Sequence, residues 1–303
     1  MQNKKMAYLY LVITTSAWGS LYVVGKFVLD KVPPFTVLFF RYFLAGFALF
    51  PILKFTRAHA KKPVKIERAD YKYILLMGFL GYFLSVGSQL LGTKLSNASL
   101  ASLINSMNPV FIIIFAVFIL KEKLTFRKVA AVTAAIGGTY IILGGGSKSL
   151  HWAGIVISFI SVITWSLMSV LVRKITQKYD SLTVTAYGML IAMFFTLPAA
   201  GYELYRTPDV NLLQGPIILS LLYMGFVCTA LPHFLWNTSL SMIEAGTCSL
   251  FYPLQPIVSV LLGGVFLGER LNVYFISGAV LIVFGVLIGL VGARPGTQGA
   301  VAD

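Results

Sequence analysis

The most constraining feature of the sequence is a long uncharged stretch that occurs twice. Residues 97–124 read NASLASLINSMNPVFIIIFAVFILKEKL, and the 26 residues 95–120 carry no charge. A similar pattern returns 147 positions later, so that Asn108-Pro109 corresponds to Gln255-Pro256. A helix crosses the hydrocarbon core of a bilayer with about 20 apolar residues. Each copy is therefore long enough to span a membrane.

The offset of 147 residues extends far beyond this stretch and needs no insertion. It pairs identical residues along the chain, namely Trp18 with Trp165, Pro51 with Pro198, Met77-Gly78-Phe79 with Met224-Gly225-Phe226, and Gly138 with Gly285. Self-similarity at a fixed period indicates a duplicated structural unit. We therefore expect a first repeat at residues 1–146, a second repeat at 147–293 and a disordered cytoplasmic tail at 294–303.

The composition is typical of a membrane protein. Of the 303 residues 58% are hydrophobic and 11% are charged, and the mean hydropathy is +0.85. Strand-like alternation of apolar and polar residues is absent. Hydropathy predicts ten spans, at residues 7–29, 35–54, 72–93, 97–120, 126–146, 152–172, 182–201, 215–238, 244–267 and 273–292. The two cysteines have no metal-ligand spacing, and no cofactor or metal is expected.

The distribution of basic residues predicts the orientation of these spans. Seventeen of the 24 Lys and Arg residues fall on the side that includes the N-terminus, and five on the other side. Cytoplasmic loops carry the excess of positive charge, so both termini are expected in the cytoplasm of a multi-pass protein of the plasma membrane. The net charge of +14 thus serves orientation, and we expect no nucleic-acid partner.

An odd number of spans in each repeat places the second repeat upside down relative to the first. The loop charges agree, because loop 121–128 has four basic residues where its counterpart around Arg270 has one. The sequence therefore predicts an all-α integral membrane protein with ten transmembrane helices, built as two inverted five-helix repeats.

Two prolines near the middle of spans four and nine point to a binding site. Pro109 and Pro256 each leave a carbonyl without its helical donor, at Asn105 and Tyr252 respectively. Unpaired backbone at membrane depth is tolerated where it is buried in protein or lines a wet cavity. Interrupted segments at corresponding positions of two repeats are typical of transporter binding sites. An ordinary packing kink is the alternative.

Aromatic, amide and ionisable residues within the spans are the candidate substrate contacts. Buried amides must find hydrogen-bonding partners, and ionisable residues at membrane depth are functional by default. The candidates are Trp18, Tyr22, Arg41, Gln89, Asn105, Asn108, Trp165, His233, Trp236, Tyr252 and Gln255.

Each of these candidates also has a structural interpretation. Arg41 either binds a substrate carboxylate with two hydrogen bonds or ties helix ends together. His233 either relays a proton or packs between helices. Tryptophans normally prefer the membrane interface, so Trp18 and Trp165 near the centres of their spans either contact a substrate or pack in the core.

The absence of carboxylates from the centres of the spans bears on function. Proton-coupled carriers commonly use such a carboxylate, so exchange or uniport is favoured here. Membrane aspartates, a nucleophile motif and a metal-ligand cluster are also missing, which disfavours an intramembrane enzyme.

We expect an exporter of small amphiphilic metabolites such as amino acids, working by alternating access. A multidrug or cationic-compound exporter of the same fold is the alternative. The expected partners are a small-molecule metabolite and the lipid bilayer, and the protein is expected to be a monomer or a homodimer.

This combination resembles the drug/metabolite transporter superfamily, in particular its ten-helix EamA-type branch. The resemblance rests on Ala17-Trp18-Gly19, Pro34 with Arg41, Asn108-Pro109 followed by Lys121-Glu122, Trp165, Gln255-Pro256 and Gly268-Glu269-Arg270. It covers nearly the whole chain and implies a transporter whose spans 1, 3, 4, 6, 8 and 9 surround a central cavity. Spans 5 and 10 would lie at the periphery. The substrates of the family are diverse and include amino acids, other metabolites and drugs.

Overall fold

A computed structural model describes residues 2–59, 66–95, 104–142, 152–267 and 273–290 of the chain. These residues form helices and no strands. The helices are α1 (Gln2–Leu29), α2 (Pro34–His59), α3 (Arg68–Leu95), α4 (Asn108–Leu120), α5 (Phe126–Ile142), α6 (Trp152–Ile175), α7 (Ser181–Arg206), α8 (Gly215–Met242), α9 (Ala245–Ser249), α10 (Leu254–Leu267) and α11 (Val273–Leu290).

Six helices are long and apolar enough to cross a bilayer, namely α1, α2, α3, α6, α7 and α8. Two shorter apolar helices, Asn108–Leu120 and Ile276–Leu290, lie within predicted spans four and ten. The all-helical membrane fold is therefore confirmed, whereas the count of ten spans stays a prediction. The first part of span four, the end of span five and the tail at 294–303 lie outside the described residues.

The main contacts between helices recur when both helices are replaced by those that lie 147 residues away in the sequence. Helix α1 packs on α8 and α10, and α6, which lies 147 residues after α1, packs on α3 and α4. The offset also relates α2 to α7 and α5 to α11, and within each of these two pairs the helices pack on each other. The sequence repeat is thus accompanied by a repeat of helix packing.

Two glycine contacts show the same exchange at the level of side chains. A Cβ added to Gly78 would lie 2.5 Å from a methyl carbon of Ile191. A Cβ added to Gly225 would lie 2.5 Å from the Cβ of Leu44. Each residue of the first contact has its counterpart, 147 positions away, in the second. Glycine permits this close approach because it has no Cβ, and small residues are common at helix contacts in membranes.

The prolines of spans four and nine break the helices rather than kink them. In span four, a turn at residues 106 and 107 precedes α4, which begins at Asn108. In span nine, a turn at residues 250–253 separates α9 from α10. Both spans are therefore interrupted near the middle, as the paired prolines indicate, and the alternative of a packing kink in a continuous helix does not describe either position. Proline has no N–H but fits the first turn of a helix, which explains why each new helix starts beside it.

Two further irregularities were not predicted from the sequence. Helix α3 is π-helical over Met77–Ser85 and α8 over Phe226–Ala230, at positions related by the repeat. Short π-helical segments re-aim side chains and frequently occur at functional sites. Both segments lie beside the cavity described next.

Candidate functional site

A cavity of about 560 Å³ lies at the centre of the helix bundle. Its wall combines residues from α1, α2, α3, α6 and α8 with residues of the two broken spans. These are the six spans implied by the family resemblance together with Arg41 of α2. Among the described residues, α5 and α11 contribute nothing to the wall. The cavity therefore lies between the two halves of the chain.

Ten of the eleven predicted substrate contacts line this cavity. They are Trp18, Tyr22, Arg41, Gln89, Asn105, Asn108, Trp165, His233, Tyr252 and Gln255. Trp236 does not reach the cavity and is fully buried. Its ring lies 5.7 Å from that of Trp18 and 5.0 Å from that of Tyr252, so it supports the aromatic wall from behind. Helical spacing places Trp236 on the same face of α8 as His233, but it does not show which of the two side chains reaches the cavity.

Aromatic rings form one wall of the cavity. Trp18 and Trp165 meet edge to face with ring centroids 5.5 Å apart, as expected for residues related by the repeat. Trp18 also stacks on Tyr252 at 5.8 Å and meets the His233 ring at 5.4 Å. The indole N–H of Trp165 donates to the hydroxyl of Tyr252. Aromatic pairs in these geometries are mutually attractive, which makes this wall a rigid apolar surface.

The carbonyls released by the prolines already have donors. The side-chain amide of Asn108 donates to the carbonyl of Asn105 at 2.8 Å. The backbone N–H of Gln255 donates to the carbonyl of Tyr252 at 3.0 Å. The prolines thus remove the helical donor, as the sequence predicts, and a local donor replaces it at each carbonyl. A buried carbonyl without a donor is costly, and a residue directly before each proline supplies the missing bond.

Arg41 and His233 are both held by one residue of the π-helical segment of α8. The guanidinium Nε of Arg41 donates to the Thr229 hydroxyl at 2.9 Å, and that hydroxyl donates to the Met224 carbonyl at 2.7 Å. His233 Nδ1 lies 2.7 Å from the Thr229 carbonyl. A carbonyl can only accept, so Nδ1 carries the proton, and in the neutral ring Nε2 is left as an acceptor.

The mouth of the cavity lies at the C-terminal ends of α1 and α3. Asp30 and Lys94 line it there, and both are exposed. Sequence reasoning did not select these two residues, because charged residues at span ends usually belong to the interface and neither continues a polar stripe on its helix.

The opposite end of the molecule is closed by a cluster of ion pairs. Glu122 accepts hydrogen bonds from the backbone N–H groups of Ala245 and Gly246, at 2.7 and 3.1 Å. Lys128 Nζ lies 2.8 Å from a carboxylate oxygen of Glu244 and 3.6 Å from one of Glu122. We refer to Glu122, Lys128 and Glu244 as the closing cluster. It joins the segment between α4 and α5, in the first half, to the start of α9, in the second.

The closing cluster and the mouth are at opposite ends of α1. The hydroxyl of Ser239 donates to the carbonyl of Ala7, which places the end of α8 beside the start of α1. Glu244 follows α8 by two residues, whereas Asp30 follows the far end of α1. The cavity is therefore open at one end of the bundle and closed at the other.

A bundle of membrane-length helices around a polar and aromatic cavity is the architecture of a multi-pass membrane transporter. The model of the EamA-like transporter family matches residues 5–144 and, a second time, residues 152–291. The chain therefore belongs to the EamA-like transporter family, within the drug/metabolite transporter superfamily, as the resemblance implied.

Curated relatives agree with this assignment, and a solved structure shares the fold. The uncharacterized transporter YyaM of Bacillus subtilis is 27% identical over 276 residues, which cover 89% of this chain and 88% of YyaM. A probable amino-acid metabolite efflux pump of Salmonella typhimurium is 27% identical over 304 residues, which cover 96% and 97% of the two chains. A crystal structure with 20% identity superposes with a TM-score of 0.81 and covers 96% of this chain and 99% of that one, which shows the fold.

Proposed function

We propose that this protein exports small amphiphilic metabolites, such as amino acids, across the plasma membrane by alternating access. The substrate site is the cavity between two inverted five-helix repeats, at residues 1–146 and 147–293, with both termini in the cytoplasm. The observation that carries the proposal is the cavity itself, because it draws its wall from both halves and its described lining extends to the exposed Asp30 and Lys94.

The chemistry of the cavity suits a small amphiphile. One wall presents the rings of Trp18, Trp165 and Tyr252, while amides such as Gln89 and Gln255 supply hydrogen-bonding groups. Small-molecule sites typically combine an apolar lining with a few placed polar groups in this way. The relatives in Salmonella typhimurium and Escherichia coli that are named probable amino-acid metabolite efflux pumps favour amino acids as the substrate class.

The paired packing supports alternating access. If the second half is inverted, each half can adopt the arrangement that the other half now has. This exchange closes the cavity at its open end and opens it at the opposite end. In the predicted orientation the mouth at Asp30 faces the outside and the closing cluster faces the cytoplasm. The structure then represents an outward-open state. The only carboxylate among the described lining residues is Asp30 at the mouth, which favours exchange or uniport over carboxylate-mediated proton coupling.

Metabolite profiling tests the proposal directly. Culture medium and cell extracts are compared between cells that overproduce the wild-type protein and cells that overproduce Trp165→Ala at the same surface level. We expect at least one small amphiphile to accumulate in the medium of the wild-type cells alone. Its counterflow in proteoliposomes then establishes transport by this protein. Equal metabolite profiles in the two cultures would overturn the proposal.

A further inference from the structure

The cavity wall contains hydrogen-bond donors that have no acceptor. Three buried side-chain nitrogens on residues that line the cavity lack a partner, namely Arg41 Nη1, Asn105 Nδ2 and Gln255 Nε2. Four other buried polar atoms without a partner, on Ser158, Ser169, Trp236 and Asn237, belong to residues that do not line the cavity. Every unpartnered atom of the wall is thus an N–H donor. A buried donor without an acceptor is costly, so this wall suits a ligand rich in acceptors.

Arg41 adds a positive charge to these donors. Only 1% of its surface is exposed, and its one described partner is the neutral hydroxyl of Thr229. The described lining residues include no carboxylate near it, because Asp30 lies at the mouth. Arginine stays charged in proteins, and a charge at membrane depth requires a counter-charge. A cavity lined by a guanidinium without a counter-charge among the described residues is therefore a site for an anion.

The repeat shows that this charge is a property of one half alone. Under the offset of 147 residues, Arg41 in the first half corresponds to Gly188 in the second. Thr229 in the second half corresponds to Tyr82 in the first. A Cβ added to Gly188 would lie 2.8 Å from the Tyr82 ring, so this ring fills the space that the arginine occupies in the first half. The cavity consequently presents one guanidinium and suits one anionic group.

We propose that the substrate carries a carboxylate and that this carboxylate binds to Arg41. Thr229 holds the guanidinium through Nε, which leaves Nη1 without a partner in the protein, and the aromatic wall takes the apolar part of the ligand. A guanidinium forms two parallel hydrogen bonds with a carboxylate, the geometry for which arginine is preferred. Organic monocarboxylates and zwitterionic amino acids fit this site, whereas cations without an acidic group are repelled. This inference rests on the proposed function and names the substrate class of the same cavity.

The wild-type protein provides the first test. The exported metabolite and its carboxamide, which has the same shape but no negative charge, are compared as competitors of counterflow in proteoliposomes. A hydrogen bond to a charged group is worth roughly a 10- to 150-fold change in affinity. We expect the carboxamide to compete at least about 10-fold more weakly. An exported metabolite without an anionic group, or a carboxamide that competes equally well, overturns the inference and leaves the exporter function standing. If no metabolite is exported at all, the proposed function fails as well.

Arg41→Gln provides the second test, with Arg173→Gln as the matched control. Arg173 is also a buried arginine, but it donates to the Leu240 carbonyl at 2.6 Å and lies outside the cavity wall. We expect Arg41→Gln to bring the ratio of acid to carboxamide affinity close to one, and Arg41→Lys to restore part of it. Arg173→Gln should keep the wild-type ratio even where it lowers the yield. An unchanged ratio in Arg41→Gln contradicts the inference. If Arg41→Gln does not fold, the wild-type comparison decides alone.

Discussion

Gly19 lies where α1 passes closest to the break before α10. A Cβ at this position would lie 2.7 Å from the carbonyl oxygen of Gln255 and 2.8 Å from the Cβ of Val258. Both distances are too short, so Gly19→Ala must displace backbone at the break. We expect a loss of about 1–3 kcal/mol of stability, seen as a lower melting temperature of the purified protein.

Gly25 is the control on the same helix. A Cβ added there meets no atom within 4 Å, and alanine favours a helix over glycine by up to about 1 kcal/mol. Gly25→Ala should therefore be as stable as the wild type or more stable. A melting temperature of Gly19→Ala equal to that of Gly25→Ala would contradict the close packing of α1 on the break.

The amide of Gln255 permits a second prediction at the level of one residue. Gln255 lines the cavity and its Nε2 has no partner within the protein, so Gln255→Ala removes a donor that is available to the substrate. We expect a 5- to 150-fold weaker apparent affinity for the exported metabolite, the equivalent of about 1–3 kcal/mol. Thr164→Ala is the control, because Thr164 is half-buried, does not line the cavity and bonds to its own helix. Equal affinities of the two variants would place the site elsewhere.

Sequence reasoning located most of the residues of the cavity but not their bonds. Polar and aromatic residues are conspicuous in apolar spans, and helical spacing placed Trp18 and Tyr22 on one face. Helical spacing does not show how far a side chain lies from the cavity. For this reason the sequence predicts Trp236 in the cavity wall, whereas its ring lies behind the wall residues. The hydrogen bond from the Asn108 amide to the Asn105 carbonyl could not be predicted either, because paired prolines indicate an interruption but not the backbone geometry that it adopts.

At the level of helices, the closing cluster ties one half of the molecule to the other. Lys128 lies between two carboxylates, of which that of Glu122 also accepts both N–H groups at the start of α9. Its ammonium group offsets the repulsion between Glu122 and Glu244. Lys128 is largely buried, so its contribution is screened less than that of an exposed ion pair.

We expect Lys128→Gln to open the closed end of the cavity. The variant leaves two neighbouring carboxylates without their counter-ion, which favours separation of the halves. Accessibility of the cavity measures this, with Ser85→Cys as a reporter that reacts with a membrane-impermeant thiol reagent added to inside-out vesicles. The reporter should react faster in the Lys128→Gln background than in the wild-type background.

Lys178→Gln is the control for this experiment. Lys178 also lies between two carboxylates, 2.7 Å from both Glu67 and Asp70, but its side chain is 46% exposed. The hydrogen bonds that Lys178 donates to Asp70 and Glu67 raise the pKa of its ammonium group above the usual range. Exposed pairs of this kind contribute little, so Lys178→Gln should leave the reporter unchanged. An equal effect of the two substitutions, or none from Lys128→Gln, would show that the closing cluster does not hold the halves together.

At the level of the whole molecule, the repeat was the most informative part of the sequence. Pairs such as Gly78 with Gly225 were visible as an offset of 147, and the structure shows that each packs in the equivalent way on the other half. The π-helical segments of α3 and α8 share that offset but were not predicted, because a π-turn changes the hydrogen-bond register without a distinctive residue pattern. Periodicity thus predicted the architecture, whereas local backbone irregularities required the structure.

Lys31 and Lys178 provide the sharpest test of the inverted arrangement. They are related by the offset of 147, and both are exposed at helix ends, Lys31 after α1 and Lys178 after α6. In a parallel duplication equivalent residues lie on the same side of the membrane, whereas in an inverted one they lie on opposite sides. We therefore expect Lys31→Cys to react with an impermeant maleimide in intact cells, and Lys178→Cys only after permeabilisation. The native Cys228 and Cys248 are buried and provide a silent background. Labelling of both substitutions from one side would rule out the inverted repeat, and labelling with the sides exchanged would reverse the orientation that the loop charges predict.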